Sequence, residues 1–290
     1  MKSIRNCPVC EESYFKDYLS VKDHMITREE FKIVECDNCG FHFTNPIPEI
    51  DKIGEYYKSE EYISHSSNKK GVINFLYNRV RNITLKEKVK WIKNETDGKC
   101  LLDIGSGTGH FLKVANDHGF KGTGLEPDAD ARDFAHKNNH VRSSDQAELY
   151  NIESNSFDVI TMWHVLEHVY DLRKDLKRID EILKSDGRLF IAVPNMNSHD
   201  ARHYKEDWAA YDVPRHLYHF QKNDISRLML DFGFDLKKVI PMPYDAYYVS
   251  MLSEKYKNRF SLLGVLRGFI SNMKARKYGY SSQVYVFEKK

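Results

Sequence analysis

The sequence predicts an α/β protein: a mostly parallel sheet with helices on both faces, preceded by a small four-cysteine ribbon. Three observations carry the prediction. From Lys99 onward, short apolar runs alternate with helical segments, the pattern of parallel strands joined by crossover helices. A glycine-rich turn, LLDIGSGTGHFL, sits where the first of those strands meets its helix. Four of the five cysteines fall before residue 40 as two CxxC pairs. With 290 residues, 41% hydrophobic and 30% charged, collagen, disulfide miniproteins and wholly disordered chains are excluded. No apolar run approaches the roughly 18 to 20 residues of a membrane span, and MKSIRNCPVC lacks a signal-peptide core, so a cytoplasmic location is expected.

Residues 1–45 form the first predicted module. In a reducing compartment Cys7, Cys10, Cys36 and Cys39 read as ligands of a structural zinc ion, since four thiolates on two tight turns can close a tetrahedron. Pro8 lies inside the first pair and Gly40 follows the second, where a turn beneath a metal favours a residue that tolerates positive φ. Unliganded thiols and a redox pair are the alternatives, and metal analysis separates them. Cys100, alone at the start of an apolar run, reads as a small buried hydrophobe.

Residues 46–98 are expected to be a connector followed by amphipathic helix. TNPIPEI contains two prolines and reads as extended, and Val72, Phe75, Leu76, Val80, Ile83 and Trp91 recur at mostly helical spacing. Between them Tyr56, Tyr57 and Tyr62 fit a cover over a ligand site and surface packing equally.

Residues 99–290 then supply the main domain. Strands are predicted at CLLDIG, KGTGLEP, FDVITMW and GRLFIAVPN, with helices over His110–His118, Ala129–Asn138 and Leu172–Leu183. Asp235–Ile240 and Gln283–Glu288 read as two further strands, separated by a helical insertion around 241–280. In the glycine turn the spacing of Gly105, Gly107 and Gly109 departs from the G-x-G-x-x-G of dinucleotide sites. Glu126 ends the following strand, where a carboxylate can accept hydrogen bonds from both ribose hydroxyls.

These motifs, in this order, resemble the class I S-adenosylmethionine-dependent methyltransferases with the D-x-G-x-G-x-G turn. The resemblance covers roughly residues 99–240 and rests on LLDIGSGTGHFL, GLEPD, FDVITMWHVLEHV and SDGRLFIAVPN. It implies a Rossmann-like seven-stranded sheet whose last two strands make an antiparallel edge. It also implies S-adenosylmethionine as cofactor, with Gly105, Gly107 and Gly109 behind its methionine portion, Asp103 orienting that turn or holding the amino group through water, Glu126 on the ribose and Asp145 or Gln146 near adenine.

Two histidine clusters are candidates for the acceptor side. His164, Glu167 and His168 follow the fourth strand in a formal H-x-x-E-H, which matches an inverted zinc-protease motif by accident of spacing; His164 is taken as catalytic, while Glu167 and His168 fit a divalent ion, substrate or packing. The second cluster, WAAYDVPRHLYHF, places Trp208, Asp212, Arg215, His216 and His219 after the fifth strand. Such a density of polar groups is costly to bury. It reads as His216 for a base, Asp212 as its orienter, and Trp208, Arg215 and His168 for substrate; a helix terminus with ring packing is the bland alternative.

Charge divides unevenly: residues 1–45 carry 6 basic and 8 acidic side chains, 66–100 carry 9 and 3, and 254–290 carry 9 and 2. The expected activity is methylation, by preference O-methylation, of a small-molecule or glycan acceptor, anionic or lipid-linked if the basic flanks touch it. RNA methylation guided by the ribbon is the alternative, disfavoured by the ribbon's net negative charge. In KYKNRFSLLGVLRGFISNMKARK a peripheral membrane contact competes with a core-covering helix. Oligomeric state is not legible.

Overall fold

The computed structural model describes residues 1–57 and the backbone from 72 to 290, with side chains from 79 onward. Tyr62 and the side chains of Val72, Phe75 and Leu76 lie outside the described residues.

The N-terminal strands β1 (Phe15–Lys22), β2 (Glu30–Cys36) and β3 (His42–Thr44) form an antiparallel meander. Helix α1 (Val72–Lys93) leads into β4 (Cys100–Ile104), α2 (His110–Asp117), β5 (Lys121–Leu125), α3 (Ala129–Asn139), β6 (Arg142–Ser144), β7 (Phe157–Trp163), α4 (Leu172–Ile182) and β8 (Leu183–Pro194). After β8 come α5 (His199–Tyr204), the two-residue β9 (Tyr218–His219), α6 (Lys222–Leu230) and β10 (Phe234–Met242). The insertion supplies α7 (Asp245–Tyr256), α8 (Leu263–Met273) and the short α9 (Ala275–Tyr278), and β11 (Ser282–Lys289) closes the fold.

The main sheet has seven strands in the order β10-β11-β8-β7-β4-β5-β6. β11 runs antiparallel between β10 and β8, while β8, β7, β4, β5 and β6 are mutually parallel. The expected seven-stranded, mostly parallel sheet with an antiparallel final pair is therefore present. Period-two alternation divides its side chains between two cores. Leu102, Ile104, Ile160, Met162, Leu189, Ile191, Tyr285 and Phe287 face one side. Leu101, Val159, Phe190, Ala192, Val284 and Val286 face the other, where α1 buries Leu85, Val89 and Ile92.

The ribbon is welded to this domain. Cys7, Val9, Cys36, Phe41 and Phe43 share the first core with the main sheet. β9 adds a fourth strand to the N-terminal meander, pairing His42 with His219 and Phe43 with Tyr218. The opposite face of the meander packs Val21, Phe31 and Ile33 against Tyr204, Trp208, Tyr211 and Val213.

Candidate active site

Strand order reverses beside β4: the chain steps outward to β5 and β6, then returns to β7 on the other flank. That switch opens a crevice at the carboxyl ends of β4 and β7, where doubly wound sheets bind ligands. Every cofactor-side residue expected from sequence lies along this edge. Gly105, Gly107 and Gly109 all have positive φ, at 71°, 51° and 77°. A Cβ on Gly105 would stand 2.3 Å from Val165, and one on Gly109 2.4 Å from Val141, whereas one on Gly107 would meet nothing within 4 Å. Two glycines thus serve close packing, and the third borders an open cradle.

Glu126 is buried at the end of β5 and its carboxylate reaches back to the turn, with Oε2 accepting from the Gly107 amide at 2.8 Å and Oε1 from the Asp128 amide at 3.0 Å. Burial raises its pKa against the pull of those two amides. Asp145 caps the 3₁₀ turn 146–151 by accepting from the Ala147 amide and pairs with Arg132 at 3.1 Å. It therefore sits beside Glu126, with its carboxylate already engaged.

Asp103 is buried on the second-core side and accepts 2.6 Å from the Thr161 hydroxyl of β7. Sequence reasoning missed its neighbour. Lys88 of α1 projects over the same crevice, its ammonium 4.3 Å from the Trp163 ring centre. Burial pulls Lys88 down to about 8 against the attraction of Asp103 and Asp245. Burial likewise pushes Asp103 up to about 7, with Thr161 and Lys88 opposing and Glu126 adding to the rise. The Trp163 indole Nε1 is buried without a hydrogen-bond partner. The open cradle at Gly107, the Asp103 and Glu126 carboxylates and the unpartnered indole fit a ligand that carries an ammonium, a sulfonium and ribose hydroxyls.

The structure also gathers the two histidine clusters expected on the acceptor side. His164, at φ 59° directly after β7, has Nδ1 3.4 Å from Glu167 and Nε2 3.2 Å from Asp245, the first residue of α7. Burial disfavours its charge, but the two carboxylates outweigh burial and push its pKa up to about 9. His164 is thus an imidazolium at neutral pH, which removes it as a general base. Asp245, contributed by the insertion, was invisible in sequence. Glu167 is fully buried, and neither carboxylate oxygen has a hydrogen-bond partner beyond that ion pair.

His168 and His216 meet edge to face with ring centres 4.6 Å apart. Nδ1 of His168 lies 2.9 Å from the Arg215 carbonyl and Nδ1 of His216 2.9 Å from the Ala210 carbonyl. Carbonyls only accept, so each ring carries a hydrogen on Nδ1, and it is the neutral form of such a ring that presents its lone pair on Nε2. Burial and the neighbouring His216 push His168 down to about 4, so it is neutral at pH 7. Among the described residues, Glu167, His168 and His216 bring ligand atoms within 4.8 Å of one another, a donor set of one carboxylate and two imidazoles that suits a divalent transition metal.

Three expectations for the segment after β8 require correction. Arg215 is 1% exposed, and four of its five N–H groups are taken: two by Asp212, one by Asp23 and one by the Tyr56 carbonyl. It is a strut joining three segments and is too committed to bind an anionic acceptor. Asp212 spends both oxygens on Arg215 and stands 4.0 Å from His216 Nε2, so the Ala210 carbonyl is what orients His216. Trp208 belongs to the core, where its indole donates 2.8 Å to Asp200 and its ring meets Tyr211 edge-on. His219 is also internal, with Nε2 3.1 Å from the Thr44 hydroxyl.

The four cysteine sulfurs converge as anticipated. Cys7 and Cys39 are 3.6 Å apart, Cys10 and Cys36 3.5 Å, and all four sulfurs lie within 4.8 Å of one another. Sulfurs at ~2.3 Å from a tetrahedral zinc stand about 3.8 Å apart, so the cluster is compatible with a zinc ribbon.

A family model described as a methyltransferase domain matches residues 77–239. The chain belongs to that methyltransferase family. The match runs from within α1 into β10 and contains every residue expected from sequence on the cofactor side. A structure of an S-adenosylmethionine-dependent methyltransferase from Archaeoglobus fulgidus superposes with a TM-score of 0.52 at 17% identity, covering 74% of this chain and 99% of that one. Geranyl diphosphate C-methyltransferase from Streptomyces coelicolor gives 0.50 at 15%, covering 71% and 79%. At such identities the likeness establishes the class I S-adenosylmethionine-dependent methyltransferase fold. Among sequence relatives, a ubiquinone biosynthesis O-methyltransferase from Coxiella burnetii is 28% identical over 120 residues, 38% of this methyltransferase and 50% of that protein. One from Nitrosospira multiformis is 26% identical over 162 residues, or 51% and 67%. The match thus spans about half the length of the Coxiella relative.

Proposed function

We propose that this methyltransferase moves the methyl group of S-adenosylmethionine onto a hydroxyl of a small-molecule acceptor, with His216 accepting the hydroxyl proton. The observation that carries the reading is the orientation of His216: the Ala210 carbonyl holds Nδ1 at 2.9 Å, which leaves Nε2 as the ring's proton acceptor. The names of the ubiquinone biosynthesis relatives support a hydroxyl on a small molecule. S-adenosylmethionine supplies an activated methyl, so the protein's task is chiefly to align donor and acceptor, exclude water and take up a proton. Glu126 and the Gly107 cradle hold the nucleoside end, Asp103 and Lys88 the amino-acid end, and His164, charged at neutral pH, fixes α7 over the mouth through Asp245. Transfer of labelled methyl groups into a cell extract tests the proposal. Label is expected in the organic-soluble small-molecule fraction; label confined to RNA would establish the competing assignment.

Glu126 provides the cofactor-side test. A carboxylate that accepts from hydroxyls contributes about 1.5–3 kcal/mol, so Glu126→Ala is expected to weaken S-adenosylhomocysteine binding on the order of 100-fold. Isothermal titration reads this directly, and unchanged affinity refutes the assignment. For Cys7, Cys10, Cys36 and Cys39 the proposed occupant is structural zinc. Protein purified without chelator is expected to hold one zinc per chain that Cys36→Ser loses, together with a large drop in melting temperature, because the sulfurs sit in the shared core.

A further inference from the structure

Helix α8 is built inside out. A Cβ added to Gly264 would stand 2.3 Å from the Met251 backbone, and one on Gly268 2.8 Å from the backbone of Ala246 and Tyr247. These glycines, four residues apart and so on one helical face, let α8 lie directly on α7. On the same face Ser271 donates to Asp200 at 2.7 Å. The protein-facing side is thus small and polar. The large apolar side chains point the other way: Leu263, Val265, Leu266, Phe269 and Met273 are all exposed, as are Phe260 and Leu262 just before the helix. At 100° per residue the five helical positions span an arc of about 160° that contains no charged residue. A surface helix ordinarily turns this stripe inward, and a contiguous exposed apolar patch marks an interaction site.

We propose that this face of α8 lies on the surface of an anionic lipid bilayer. Charge selects that occupant: between residues 255 and 277 there are seven Lys and Arg and no Asp or Glu. A second copy of the chain would bring an equally basic rim to the same patch, and the two would repel. An apolar face bordered by cations matches the acyl boundary beneath anionic headgroups, where each basic residue near the surface contributes about 1 kcal/mol. No helix among the described residues is long and apolar enough to cross a membrane, so α8 rests in the interface plane. The hairpin also orients the contact functionally, since the α7 that backs α8 begins with Asp245, the partner of His164.

Flotation of the full chain with vesicles tests the proposal. The protein is expected to float with phosphatidylcholine vesicles containing phosphatidylglycerol and to remain at the bottom with phosphatidylcholine alone or in high salt. The double variant Leu266→Glu/Phe269→Glu is expected to lose at least about tenfold in partitioning while keeping its melting temperature and its affinity for S-adenosylhomocysteine, since both side chains are exposed on the face of α8 turned away from α7. Wild-type protein left at the bottom with anionic vesicles overturns the proposal, as does a double variant that floats equally well. A wild-type dimer that fails to float and that the double variant converts to a monomer would assign the face to a second copy instead.

Discussion

Replacing His216 by Asn is expected to lower methyl transfer by about 10²- to 10⁴-fold, the usual contribution of a positioned general base, with cofactor affinity unchanged. The substitution is chosen for geometry. An asparagine amide can still donate to the Ala210 carbonyl, as Nδ1 of His216 does at 2.9 Å, but it offers nothing where Nε2 holds its lone pair. The local loop is therefore retained while the base is removed. His216→Ala loses both functions and is expected to be as inactive and less stable. Single-turnover transfer with labelled cofactor, alongside titration with S-adenosylhomocysteine, separates chemistry from binding. Full activity in the Asn variant would exclude His216 as the base and transfer the role to an acceptor ionised by other means.

The largest effect on stability is expected at Arg215. Arg215→Met keeps much of the side chain's volume and removes the charge between Asp23 and Asp212, two carboxylates held by the guanidinium at 2.6 to 3.0 Å. Breaking a buried ion pair from one side costs about 3–5 kcal/mol, which in a chain of this size corresponds to a fall in melting temperature of about 10 °C. The pH dependence has a definite sign. Burial raises both carboxylates, but their hydrogen bonds and Arg215 outweigh it, so both are held below the ordinary carboxylate range. Their contribution is present above the unfolded carboxylate pKa near 4 and is lost as pH falls through the depressed native value. In the variant they lose their counter-charge, so the deficit is expected to be greatest at neutral pH and to narrow under acid. A deficit independent of pH would mean that packing, and not charge, is what Arg215 supplies. Thermal melts of both proteins from neutral to acidic pH decide the matter.

The polar segment after β8 also marks the limit of what the sequence discloses. A cluster such as WAAYDVPRHLYHF announces that its polar groups are partnered, because burying them otherwise is prohibitive. It does not say with what. Arg215 finds Asp23 at a separation of 192 residues, and Trp208 finds Asp200 on the neighbouring α5, so a structural strut and a substrate clamp look alike in one dimension. The cofactor side was legible for the opposite reason. Asp103, the three glycines and Glu126 are fixed by local strand-to-helix geometry within two consecutive βα units, and the spacing along the chain is the spacing in space. The CxxC pairs are legible on the same grounds. Lys88 and Asp245 carry no such mark: one lies on a helix that reads only as amphipathic, the other opens an insertion, and only the packing of α1 and α7 onto the crevice gives them a role. The exposed apolar arc of α8 was visible as composition, yet its orientation depended on two glycines meeting α7.

The antiparallel pairing of β3 with β9 sets an order on assembly. During synthesis the four-cysteine meander emerges before the main sheet, yet its last strand keeps an open edge until Tyr218 and His219 have left the ribosome some 175 residues after Thr44. At roughly 5–20 residues per second that interval is about 10 to 35 s. An unpaired edge persisting so long is a template for wrong partners. The nascent chain is therefore vulnerable over a window fixed by its topology, and chaperone demand should track the rate at which the ribosome reaches β9.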